Sequence, residues 1–179
     1  MKNVITFLIT ITVLTSCGPS LQVFSDYDKT ADLSHYKTFS WLKLDAIEAK
    51  GSNPLYYNEL NDKRIKEAVN KQMQGKNFQP FSNSTDLQLH YHIIVEDKTS
   101  TITEPIGTQY RPYSNEHRRS TYQYREGTII IDLMDIKTNT LIWRGWATDV
   151  ITNTVRKNPE AAIQNAIEKI FLQFPATGN

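Results

Sequence analysis

Cysteine is nearly absent from this chain. Among 179 residues there is one, Cys17. A disulfide framework and a cysteine zinc site both need at least a pair, so both are excluded. Glycine is scarce as well. Seven glycines form no Gly-x-Gly and no Gly-Lys-Ser/Thr arrangement, so the usual phosphate-cradling loops are missing. There is no Gly-x-Ser-x-Gly elbow and no His-Glu-x-x-His pair. Charge of one sign is not in excess: 20 Lys and Arg stand against 19 Asp and Glu, for a formal net charge of +1. A near-neutral domain lacks the basic footprint of a nucleic-acid binder and the polybasic patch that reads anionic lipid. No nucleic-acid partner is expected. Long apolar runs are lacking too. The longest stretch, Val4 to Leu14, is interrupted by Thr6, Thr10 and Thr12, and a membrane-crossing helix needs about 20 apolar residues.

What that short stretch does carry is an address. Lys2 precedes it and Leu14-Thr15-Ser16-Cys17 closes it. A positive start, an apolar core and small residues at the cut make a secretory signal. A leucine three residues before a cysteine is the order of a bacterial lipobox, with cleavage between Ser16 and Cys17 and acylation of Cys17. Residues 1–16 are then a signal peptide, and loss of Lys2 brings the net charge to zero. Lipidation also consumes the only thiol, leaving no sulfur nucleophile. One acyl chain binds a membrane marginally, and stable anchoring takes a second; a diacylglycerol thioether supplies both. Gly18-Pro19-Ser20 follows as a tether of roughly 10 Å when extended. Without an aspartate after Cys17 or an acidic run beyond it, the expected location is the outer membrane, facing the periplasm.

Residues 21–175 read as one domain, with 176–179 as a tail. Leu21-Gln22-Val23-Phe24 and Lys37-Thr38-Phe39-Ser40-Trp41 are short and β-prone, with Asp26-Tyr27-Asp28 as a turn between them. Gly51-Ser52-Asn53-Pro54 marks a loop. A helix is expected from about Asn58 to Gln74, with Ile65, Ala68, Val69, Gln72 and Met73 inward and Gly75 at the left-handed C′ position. Leu87 to Val95 alternates cleanly: Leu87, Leu89, Tyr91, Ile93 and Val95 share one face, and Gln88, His90, His92 and Ile94 the other. Glu96 to Ser120 is polar and aperiodic, either a long loop or an extended hairpin arm. Thr128 to Met134 and Leu141 to Val150 form the strongest hairpin signal. Ile129, Ile131 and Leu133 share a face of the first strand. On the second, Leu141, Trp143 and Ala147 face one way and Ile142, Trp146 and Val150 the other. A final helix starts at Asn158 as N-cap with Pro159 at N1, turns Ala162, Ile163, Ala166, Ile167, Ile170, Phe171 and Phe174 inward at helical spacing, and stops before Pro175. The order implies an α+β two-layer sandwich: a mostly antiparallel sheet of about five strands with two helices packed on one face.

Several of these segments resemble one family. They are Asp26-Tyr27-Asp28, Tyr36 to Trp41, Asp86 to His92, Gly127 to Asp135, Leu141 to Ala147 and Ile167 to Pro175. Together, and in this order, they resemble the domain of unknown function 4136 found in bacterial envelope lipoproteins. The resemblance spans nearly the whole mature chain and carries no activity with it.

Four constellations bear on chemistry. His90 and His92, at i and i+2 on a strand, face the same way and both suit a metal, but no third ligand lies on that face of the segment beyond Glu96. The plain reading is two polar residues on the solvent side. Asp26 with Asp28, and Asp132 with Asp135, have the form of acid–base pairs; both sit beside turns, where aspartate commonly bonds local backbone. Trp143, Arg144 and Trp146 are residue types enriched at binding hot spots, against the alternative that both tryptophans are core. Tyr110, Arg111, Tyr113, Arg118, Arg119, Tyr122 and Tyr124 mix basic and aromatic character in the polar stretch. No cofactor and no catalytic residue is implied. The expectation is a lipid-anchored envelope protein, a non-catalytic accessory or binding module that meets the membrane through its N-terminal lipid and an envelope protein partner through Trp146, Arg144, Tyr110 and Arg111. The alternative is a hydrolase or metal-binding protein using His90 and His92 with a nearby carboxylate.

Overall fold

Alternating strands and two amphipathic helices meet in a single apolar core. The computed structural model describes residues 21–42, 53–81, 85–105 and 117–175. Six strands form one sheet: β1 Gln22–Tyr27, β2 Thr38–Trp41, β3 Gln79–Pro80, β4 Leu87–Pro105, β5 His117–Asp135 and β6 Thr140–Val150. Among the described residues three α-helices accompany them: α1 Glu59–Gly75, α2 Asn153–Lys157 and α3 Pro159–Leu172. The spatial order is β1-β6-β5-β4-β2-β3.

The sheet is mixed, and it has six strands rather than five. β1 with β6, β6 with β5 and β5 with β4 pair antiparallel, whereas β2 runs parallel to both β3 and β4. The cause is α1. It sits between β2 and the strands that pair with it, and a crossover through a helix returns the chain in the same direction. β3 escapes a reading of the sequence because it is two residues long and contains Pro80, which suits an edge strand. α2, five residues capped by Thr152, is likewise too short to show a period.

Local chemistry fixes the helix ends. The Asn58 side chain accepts from the Asn61 N–H at 3.0 Å, and that of Asn158 accepts from the Ala161 N–H at 3.3 Å, each cap worth about 1 kcal/mol. At the other end of α1 the left-handed residue is Asn77, φ 68°, and not Gly75. Phe78 N–H reaches Met73 O and Asn77 N–H reaches Gln74 O, both at 3.0 Å. This pair of hydrogen bonds closes the helix, and Phe78 joins Met73 in the buried core.

The two faces of the sheet differ sharply. Phe39, Leu87, Leu89, Tyr91, Ile131, Leu133, Trp143 and Ala147 join Ile65, Val69 and Met73 of α1 and Ile163, Ile167, Ile170 and Phe171 of α3 in one cluster. The Trp143 ring lies 5.5 Å from that of Phe171 and 5.1 Å from that of Phe174. Gly145 makes room for it. A Cβ there would stand 2.4 Å from the Trp143 ring and 2.6 Å from Ile170. On β6 the expected facing of two residues is reversed. Leu133 pairs with Trp143 but Met134 with Leu141, so Ile142 is an extra residue, a β-bulge. Ile142 turns into the core while Leu141 turns out to solvent.

β4 and β5 pair over their full length, from Leu87 with Asp135 to Pro105 with His117. β6 accompanies β5 only as far as Glu126. Beyond that point residues 97–105 and 117–125 run as a two-stranded ribbon past the edge of the sheet. The polar stretch is therefore strand at both of its ends, and residues 106–116 lie outside the described residues.

Candidate functional site

The strands that build the core present their alternate residues on the opposite face, which no helix of the described residues packs against. Register aligns those residues in rows. His90 on β4 is opposite Asp132 on β5, Asp132 is opposite Arg144 on β6, and Arg144 is opposite Asp26 on β1. The next row holds His92, Ile130, Trp146 and Phe24.

The first row centres on a buried carboxylate. Asp132 is only 4% exposed although it lies on the open face. Arg144 explains how this is sustained. Its Nε donates to Asp132 Oδ1 at 2.6 Å and its Nη2 to Oδ2 at 2.7 Å. A planar two-pronged contact of this kind is the strong form of an ion pair. Hydrogen bonding to Asp132 raises the guanidinium pKa further, against the effect of burial. His92 approaches from the other side, with Nε2 3.6 Å from Asp132 Oδ2. The His90 and His92 rings lie 4.1 Å apart. One ligand atom from each of His90, His92 and Asp132 falls within 4.8 Å of the others.

The second row is aromatic. Phe24 stacks on Trp146, centroids 5.7 Å apart and planes inclined by 28°. Phe24 is half exposed, and Ile94 nearby on β4 is 44% exposed. Trp146 and Arg144 thus share the open face, whereas Trp143 is wholly core. Tyr110, Arg111 and Tyr113 lie outside the described residues, as do Ser16 and Cys17. Arg118, Arg119, Tyr122 and Tyr124 lie on the β5 ribbon.

The other candidates separate. Asp28 accepts from the Thr30 N–H and hydroxyl at 2.8 and 2.6 Å, and Asp26 accepts from the N–H of Tyr27. Asp135 serves the β5–β6 turn, accepting from the N–H groups of Lys137 and Thr138. It also accepts from the Tyr36 hydroxyl at 2.8 Å; burial, then this bond, pushes the Tyr36 pKa up to about 12. Neither aspartate pair is therefore arranged for acid–base work. Glu96 pairs with Lys98 at 2.6 Å, four residues and about 13 Å along the strand from His92.

Reasoning from sequence missed Asp132 as the companion of the histidines, and Phe24 as that of Trp146. For Asp132 the signal was there: Ile129, Ile131 and Leu133 point inward, so Asp132 must point outward, as His90 and His92 do. What was missing was the register between β4 and β5. Among the described residues, the cavities found are not bordered by His90, His92, Asp132 or Arg144. An apolar cavity of about 150 Å³ lies elsewhere, on the helix side of the sheet, bordered by Ile65, Ile93, Ile129, Ala147 and Ala166.

The sequence matches the family described as domain of unknown function (DUF4136) over residues 23–176. The chain belongs to this family. A DUF4136 family protein from Bacteroides thetaiotaomicron VPI-5482 is 18% identical, with a TM-score of 0.48, over 88% of this chain and 97% of that one. A PDZ domain protein from Parabacteroides distasonis ATCC 8503 is 12% identical at a TM-score of 0.55. It shares the fold over 90% of this chain, which spans 38% of that longer one. The PelC dodecamer from Paraburkholderia phytofirmans is more distant, at 8% identity and a TM-score of 0.43 over 84% of this chain and 94% of that one. No curated protein matches the sequence. No helix among the described residues is long and apolar enough to cross a membrane.

Proposed function

We propose that this protein is a lipid-anchored, non-catalytic binding module of the cell envelope, held at the periplasmic face of the outer membrane and engaging an envelope protein through the open face of its sheet. One observation carries the reading. The polar and aromatic residues that would do chemistry or make contacts lie together on the face of the sheet that no helix of the described residues covers, with Trp146 stacked on Phe24 and Arg144 beside them. Enzymes enclose their substrates in concave sites. A flat patch with an aromatic anchor and an arginine is instead the composition of a protein interface. The lipobox ending at Cys17 supports the tether. β1 begins at Gln22, five residues later, so a partner must meet the domain close to the membrane.

The test is photocrosslinking in cells. A photoreactive residue at position 146 should give a discrete protein adduct, and one at Glu168, on the exposed side of α3, should not. Membrane fractionation accompanies it, with Cys17→Ala expected to release the protein. Absence of an adduct at 146, or equal adducts at both positions, contradicts the interface; Cys17→Ala that still pellets with membranes contradicts the tether.

A further inference from the structure

We propose that His90, His92 and Asp132 form a binding site for a divalent transition-metal ion, zinc or its neighbours in the first row. The inference needs neither the lipid anchor nor a protein partner. It begins from ligand chemistry. Imidazole nitrogen and carboxylate oxygen are ordinary zinc ligands at about 2.0–2.2 Å, which places two ligands of a tetrahedral ion about 3.3 Å apart. His92 Nε2 and Asp132 Oδ2 already stand 3.6 Å apart. The third ligand atom lies within 4.8 Å of both, so binding an ion would draw it closer to the other two.

Rigid elements set this geometry. His90 and His92 alternate with Leu89 and Tyr91, which are anchored in the core. Asp132 is flanked by the buried Ile131 and Leu133. The three side chains are thus held to one face by packing on the other, the support that a metal site requires.

Arg144 is the objection and also the refinement. It donates to both oxygens of Asp132. Each carboxylate oxygen has two acceptor directions, so one direction on Oδ2 remains toward His92. Arg144 then fixes the carboxylate as a supporting partner fixes a ligand, while its positive charge opposes the ion. It is a positioning residue, and it holds affinity below that of an unopposed set of the same ligands. Three protein ligands leave a fourth position for a water molecule, since no helix of the described residues packs on this face. Hard ions should bind poorly, because magnesium and calcium take oxygen ligands and the site offers two nitrogens.

The experiment uses the purified protein in detergent, stripped with EDTA and titrated calorimetrically with zinc, then with magnesium. One zinc per chain is expected, with no heat from magnesium. His90→Gln and His92→Gln should each weaken zinc by about a hundredfold or more, since losing a direct ligand costs at least what losing a supporting partner does. His35→Gln, remote and highly exposed, should change nothing. Copper(II) bound to the unaltered protein gives a reading that needs no variant: its electron paramagnetic spectrum should show coupling to two imidazole nitrogens. No zinc binding, zinc binding indifferent to both histidine variants, or a copper spectrum without nitrogen coupling overturns the site.

Discussion

The two faces of this sheet are made by the same strands and do different work. On the inner face most alternate residues are aliphatic or aromatic and join α1 and α3 in the core. On the outer face the alternate residues are His90, His92, Asp132, Arg144, Thr128 and Thr148, with Phe24 and Trp146 as an aromatic island. A sheet needs only one buried face to be stable. The outer face is therefore available for polar clusters, which a core tolerates poorly unless every group is paired. Even there the fold obeys that rule: Asp132, deeply buried on that face, has both oxygens bonded by Arg144.

Substitutions can break this contrast or sharpen it. The largest effect is expected inside. Gly145→Ala places a Cβ 2.4 Å from the Trp143 ring, and overpacking of this kind costs about 3 kcal/mol. A thermal melt should drop by about 10 °C, taking a few degrees per kcal/mol for a domain of this size; an unchanged melt would show that Trp143 has room to move. Arg144→Ala is next, and it tests the exception on the outer face. It leaves Asp132 buried without its main partner, for a loss of about 2 kcal/mol, read as a lowered urea midpoint.

A smaller effect belongs to neither face but to the end of the sheet. Asp86 accepts from the N–H groups of Lys37 and Thr38, at 2.8 and 2.9 Å, and from the Thr38 hydroxyl. The backbone bond from Lys37 leads in holding its pKa below the ordinary 3.8, against desolvation. A depressed carboxylate stabilises the fold above its unfolded pKa and loses that contribution as pH falls through its folded value. Asp86→Asn should therefore lower stability near neutrality and flatten its decline below about pH 4. Parallel acid-denaturation curves for the two proteins would contradict this.

How much of this was legible in the sequence follows from what each signal depends on. α3 shows itself completely, because Asn158, Pro159 and the run of apolar residues from Ile163 to Phe174 are all local. The facing of Leu87 to Tyr91 and of Ile129 to Leu133 is also local, a period of two. The bulge at Ile142 was hidden, since one inserted residue leaves no mark on composition, and it reversed Leu141 and Ile142. The parallel pairing of β2 was hidden too, being set by where α1 delivers the chain. The β4–β5 ribbon remained ambiguous because it has no buried face to impose alternation. Thr99, Thr101 and Thr103 favour strand there, but its hydrogen-bonded pairing to residues 119, 121 and 123 is visible only in space. The candidate cluster shared this limit. His90, His92 and Trp146 were placed on one face of their own strands, and only the register joined Asp132 to His90, and Phe24 to Trp146.

The division of labour between the faces is tested most directly by the double substitution Phe24→Ser with Trp146→Ser, measured for thermal stability and for photocrosslinking from position 130 in the same cells. The account predicts a cooperative melt within a few degrees of the unaltered protein and loss of the partner adduct. An unaltered adduct, or a domain that no longer melts cooperatively, would contradict it.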